Sequence, residues 1–141
     1  MDHGLSTIHN SLQMSQKAIL VGGALLGALG VMIGAFGAHG LKALLAETGQ
    51  AATFETAVKY HMYHALAMLV TGLLLFQVPN KFIHLAGLFF LIGVLIFSGT
   101  LYVLSLTNIK WLGAITPIGG LFLIGGWLSL GHGLFHYWPK K

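Results

Sequence analysis

GALLGALGVMIGAFGAHG, residues 23–40, is the stretch whose reading decides the fold. Gly23, Gly27, Gly30, Gly34 and Gly37 alternate steps of four and three, which places all five on one stripe of a helix. Up to His39 the other positions are only Ala, Leu, Val, Met, Ile or Phe. Inside a helix in water glycine costs about 1 kcal/mol against alanine. Five glycines in one helix therefore make sense where a neighbouring backbone has to come very close. Small-residue stripes do this in a bilayer, where helices associate by packing and weak hydrogen bonds rather than by exclusion from water. The stripe predicts a membrane helix at the centre of a small bundle, with His39 where the helix leaves the apolar layer.

Composition points the same way. Of 141 residues 56% are hydrophobic and 7% charged, with a mean hydropathy of +0.84. A soluble domain carries about 25% charged residues, so this chain has too few to cover a water-facing surface. The basic residues are seven lysines scattered singly or in one terminal pair, and the acids are Asp2, Glu47 and Glu55. A formal charge of +4 without a basic stripe or interleaved aromatics argues against nucleic acid as a partner. With no cysteine, disulfides, thiolate metal sites and cysteine nucleophiles are excluded.

Working outward, residues 1–17 read as a polar tail or interfacial helix, with Leu5, Ile8 and Leu12 at helical spacing. The rest, 18–138, reads as one transmembrane domain with spans at about 18–38, 57–78, 82–106 and 112–134. The first run is uncharged for 21 residues, longer than the 7–15 of a cleavable leader's apolar region, so it is expected to remain in the mature protein. Leu41, Leu44 and Leu45 suggest an amphipathic turn that Thr48-Gly49 breaks, and Thr53 reads as the N-cap of the second span, with Glu55 in its first turn. Pro79-Asn80 and Asn108 to Trp111 mark the later turns. Four spans put both termini on one side. Lys17, Lys81, Lys140 and Lys141 there, against Lys42, Lys59 and Lys110 opposite, lean toward cytoplasmic termini.

Polar groups within the spans are costly and so become site candidates. Tyr60, His61, Tyr63 and His64 cluster on the second span, Ser98, Tyr102 and Ser105 form a stripe on the third, and Thr116-Pro117 lies two turns into the fourth. Proline there would free the Gly113 carbonyl. Counted from the helix ends, His64, Ser98 and Pro117 share a depth of roughly 10 Å. The expected polar layer is His39, Tyr60, His61, His64, Ser98, Tyr102, Thr116 and Pro117, with His64 bonded to Tyr102 or to a carbonyl near Gly113–Pro117. Interhelical packing is the weightier reading of such a layer, at roughly 1 kcal/mol per hydrogen bond; a ligand or proton-relay role is the sharper one. His61 and His64, with a third histidine nearby, could bind a metal, and His132 with His136 have a suitable spacing but lack a third ligand; packing and interfacial readings outweigh both, so no metal is expected. The His132 pair reads more simply as an interfacial anchor with Tyr137 and Trp138. His84 opens the third span in that same leaflet, and His3 and His9 lie in the tail on that side.

Four motifs in order, GAFGAHG (34–40), FETAVKYHMYHALAML (54–69), IFSGTLYVLSLT (96–107) and ITPIGGLFLIGGW (115–127), resemble the YgdD-type family of small four-helix bacterial inner-membrane proteins. The resemblance covers residues 22–127 and implies four spans and an integral inner-membrane location. It carries over no catalytic or binding residue. Its motifs point to His39, Phe54, Tyr60, His64, Ser98, Gly99, Tyr102, Thr116, Pro117, Gly119 and Gly120.

The expectation is thus an all-α membrane protein, a four-transmembrane-helix bundle with a glycine-rich central first helix. Its function reads as a binding or transport module built on the His/Tyr/Ser/Thr layer; the alternative is a structural or accessory protein whose layer only fixes packing. No nucleophile with a paired base and no acid–base pair is visible, so an enzyme ranks third. No cofactor is expected. The expected partners are the lipid bilayer and either a second copy or a membrane-complex partner.

Overall fold

The structure, a computed structural model, describes residues 15–137. The tail reading and the aromatic-basic end at Trp138, Lys140 and Lys141 lie outside the described residues, as do His3 and His9. Among the described residues the chain is helical, without strands. Helix α1 is Gln16–His39, α2 Lys42–Glu47, α3 Ala51–Leu74, α4 Lys81–Thr107 and α5 Thr116–Tyr137, with a 3-10 turn at Lys110–Ala114 before α5. Three stretches are long and apolar enough to cross a membrane: Gln16–His39, Lys81–Thr107, and Lys110–Tyr137, which is the turn with α5. Helix α3 is as long as α1, 24 residues, but carries Glu55, Lys59 and the Tyr/His cluster, and it is not one of the three.

Local chemistry sets most of the boundaries. The Ser15 hydroxyl accepts from the Ala18 N–H at 3.2 Å and starts α1, and the Asn80 side chain accepts from the Phe82 N–H at 2.8 Å and starts α4. Gly49, at φ +68°, turns the chain after α2, and Asn108, at φ +56°, ends α4 in the left-handed conformation that asparagine tolerates. The α2 helix realises the amphipathic turn expected from Leu41, Leu44 and Leu45.

Three boundaries differ from expectation. Gln50, not Thr53, precedes α3, and its side chain does not cap. Instead it donates to Asn108 Oδ1 at 3.0 Å and ties the start of α3 to the end of α4. Helix α3 ends at Leu74, four residues before the expected 78. Pro79 disfavours helix at Val78, and Asn80 needs extended backbone to act as a cap. Thr116 and Pro117 are the first two residues of α5, not two turns inside it. Proline in a first turn breaks no ladder hydrogen bond, so no kink frees the Gly113 carbonyl.

The packing order also corrects one expectation. The four long helices stand in the sequence α1–α3–α4–α5, each packed mainly on its neighbour, with only slight contact between α1 and α4. The glycine-rich first helix is therefore an outer element, and α3 and α4 are the inner pair. Its stripe receives knobs from α3: Met62 over Gly30, Val58 over Gly34 and the Phe54 ring over Gly37. Only at Gly23, beside the Ala65 carbonyl and the Leu69 amide, does backbone approach backbone. The closest main-chain approach is elsewhere. A Cβ on Gly119 of α5 would strike the backbone N and Cα of Phe97 on α4. Buried Thr116, Gly119, Leu123, Gly126, Leu130 and Gly133 follow alternating steps of three and four, the seam of a left-handed pair. Ile19, Met68, Ile83, Phe90 and Val94 fill the core. Leu25, Val31 and Phe36 of α1, with Leu121, Leu128 and Phe135 of α5, point outward as an apolar belt.

Candidate functional site: a lateral cleft beside a hydrogen-bonded core

The predicted layer resolves into separate parts. Buried Ser98 donates to the Ala57 carbonyl at 2.9 Å, a bond from α4 to α3 that closes the inner pair. Thr116 and Thr100 share a hydrogen bond of 2.8 Å across α4 and α5. Thr100 lies off the Ser98 stripe and outside the expected layer; its match is set by the register of α5. Buried His61 shares a 3.0 Å bond between Nδ1 and the Tyr102 hydroxyl, and Phe54 packs on Tyr102 with ring centres 5.4 Å apart. His61 Nε2 is buried without a hydrogen-bond partner. His39 is exposed at the end of α1 and Pro117 at the start of α5, and neither is brought to the others.

His64 does not bond Tyr102 or the carbonyls near Gly113–Pro117. Its Nδ1 donates to the Tyr60 carbonyl one turn back at 2.7 Å, and the indole N–H of Trp127 donates to its Nε2 at 3.1 Å. The two bonds together require the neutral tautomer protonated on Nδ1, with both nitrogens satisfied. Trp127 reaches across from α5, an element that hardly touches α3 otherwise. Sequence spacing could not find this partner, because the indole's reach depends on how α5 leans on α4. Rings close the arrangement: Tyr60 stacks over His64 at 6.1 Å, and Phe90 lies 5.5 Å from His64 and 5.1 Å from Trp127.

Because α3 and α5 both pack on α4 but not on each other, a cleft of about 550 Å³ opens between them. Tyr60, Tyr63 and His64 form its α3 wall, Phe97 its floor, and Gly120, Leu123, Ile124 and Trp127 its α5 wall. No charged side chain lines it. His64 at the back is 5% exposed, whereas Tyr63 and Trp127 at the rim are 58% and 51% exposed, so the cleft opens sideways onto the apolar belt. A second cavity of about 340 Å³ lies between α1, α2 and α3, with Phe54 inside and Lys42 and Glu55 among its lining residues. Glu55 pairs with Lys59 at 2.9 Å, both exposed, as their i, i+4 spacing suggests.

No three metal-ligating side chains converge among the described residues. His61 and His64 turn to different partners. The His132 and His136 rings lie 4.1 Å apart at a tilt of 37°, with Phe82 edge-on to His132 at 4.3 Å, which joins the end of α5 to the start of α4. Ser129 and Asn80 make the same junction, donating to the Phe82 and Gly133 carbonyls at 2.8 and 3.4 Å.

A family model described as a protein of unknown function, DUF423, matches residues 33–120, a segment holding most of the cleft and the hydrogen-bonded core. The chain belongs to the DUF423 family. Its relatives carry the name UPF0382 membrane protein. One from Staphylococcus haemolyticus is 45% identical over 114 residues, 81% of this chain and 92% of the relative. YwdK of Bacillus subtilis is 40% identical over 115 residues, 81% and 93% of the two chains. A Haemophilus influenzae relative is 41% identical over 112 residues, 79% and 89%. No solved structure matches. This DUF423 protein is accordingly a membrane protein with no assigned biochemical activity. Trp127, His132 and His136 lie beyond the matched segment.

Proposed function

We propose that this DUF423 protein is a multi-pass inner-membrane binding module, of the YgdD type, that takes a small uncharged ligand from the bilayer into the cleft between α3 and α5. In this reading α3 is a fourth span, held across the bilayer between α1 and α4, and both termini are cytoplasmic. The 24-residue length of α3, about 36 Å at 1.5 Å per residue, supports the span, and the lysine distribution supports the orientation. The carrying observation is the cleft, a concave aromatic-walled space of ligand size.

The test is native mass spectrometry of the protein released from lipid nanodiscs. Adducts of a few hundred daltons are expected on the wild type and strongly reduced on Gly120→Leu, whose side chain takes up part of the cleft on its α5 side. A Cβ at Gly120 meets only the edge of the Phe97 ring at 3.7 Å, an ordinary contact, and thermal melting verifies that the leucine variant is folded. Identical adducts on a Gly120→Leu variant of unchanged thermal stability would overturn the reading.

A second reading has its own support. Ser98, Thr100, Thr116, His64 and Tyr102 all find partners inside the protein. Such a layer can serve packing alone, as in a structural or accessory protein, and absence of any adduct would favour it.

A further inference from the structure

We infer that the cleft recognises a planar, uncharged ring bearing carbonyl acceptors on an apolar tail, the chemistry of a lipid-soluble quinone. The inference rests on the binding-module reading and narrows it to a ligand class. Depth is the first argument. Tyr63 is the thirteenth of 24 residues in α3, Phe97 the seventeenth of 27 in α4 and Trp127 the twelfth of 22 in α5. The cleft therefore lies near the middle of each helix, where a charged ligand would be expensive, and no charged side chain waits to offset that cost.

Shape and hydrogen bonding narrow the class further. Five of the eight lining residues are rings and Gly120, Leu123 and Ile124 complete the α5 side; Tyr60 lies 4.7 Å from Phe97 and stacks on His64, and Trp127 stands edge-on to His64 at 6.1 Å. Flat surfaces of this kind suit a ring by offset or edge packing better than a lone alkyl chain. Both nitrogens of His64 and the indole N–H of Trp127 are already engaged with each other and with the Tyr60 carbonyl. The polar groups left to a guest are the hydroxyls of Tyr60 and Tyr63 in the cleft lining, the latter close enough to Lys59 on the same helix to interact with it electrostatically. Phenols in an apolar cleft offer O–H donors, and a ring carbonyl is the neutral group that accepts them. The lateral opening admits a tail that stays in the lipid.

The experiment uses the full chain in nanodiscs and follows tryptophan fluorescence during titration with a benzoquinone carrying a two-isoprene tail. The alcohol of the same tail is the competitor. Saturable quenching is expected. It should disappear in Trp127→Phe, weaken about tenfold in the Tyr60→Phe/Tyr63→Phe pair, and resist the tail alcohol. Thermal melting of each variant verifies that it is folded. If the alcohol competes as well as the quinone, or if the tyrosine pair is without effect, the cleft binds lipid tails and the quinone inference falls while the binding module stands. Saturable quenching that survives Trp127→Phe places the guest elsewhere and also overturns the inference. If neither compound binds the folded protein saturably, and no adduct is lost in Gly120→Leu, both readings fail.

Discussion

His64 is held by bonds of opposite sense, one given to its own helix and one received from Trp127. Trp127→Phe keeps the ring packing against Phe90 but leaves Nε2 without a donor in a site water hardly reaches. Interhelical hydrogen bonds in membranes are worth about 0.6 kcal/mol on average and up to about 1.7. The variant is expected to lose roughly that much in reversible unfolding from bicelles. His64→Leu removes the same bond, and no added loss is expected when Trp127→Phe is combined with it. Additive losses in the double-mutant cycle would mean that the two side chains do not communicate.

At the level of elements, the glycines of α1 and α5 do different work. Gly30 makes room for the flexible end of Met62, which can swing aside. Gly119 makes room for the main chain of Phe97, which cannot move without separating α4 from α5. Gly119→Ala should therefore cost about 1–3 kcal/mol as overpacking, and Gly30→Ala distinctly less. Leu29, 46% exposed on the outer face of α1, should accept alanine with little change. Thermal melts of the three variants in one detergent rank them. The left-handed cap of α4 offers another check. Asn108→Val forces a β-branched residue to φ +56° and should cost about 1–2 kcal/mol, whereas Asn108→Gly should lose only the Gln50 contact.

For the whole molecule, the row α1–α3–α4–α5 makes a prediction that a closed square bundle would not. A chain without cysteine allows paired cysteines to be introduced one couple at a time. Gly34→Cys with Val58→Cys joins α1 to α3, where a Cβ on Gly34 would lie 3.2 Å from a Val58 methyl, and a disulfide should form on mild oxidation. Leu25→Cys with Leu128→Cys, one on each outer helix, should stay reduced within a single chain. Peptide mass mapping distinguishes the two outcomes. Efficient α1–α5 bridging would show a closed bundle and remove the lateral cleft, because the cleft exists only where α3 and α5 fail to meet.

The sequence by itself determined what depends on nearest neighbours along the chain. Long uncharged runs, glycines at helical spacing, Asn80 and Gly49 at their turns, and the exclusion of a cysteine site all follow from local propensity and composition. It also placed Ser98, Tyr102, His61 and His64 within the helical core, because an apolar run makes any polar residue conspicuous. Which of them meet is a different matter. A stripe of glycines states that something comes close, but not whether it is a side chain of α3 or a backbone, so the first helix was expected at the centre and stands at the edge. The start of α5 shifted Thr116 and Pro117 from mid-helix to its first turn, and with that His64 lost its expected partner and gained Trp127. Only the tertiary structure decided these points, since a lean of one helix on another moves a side chain's reach by several ångströms, while the spacing that sequence records stays unchanged.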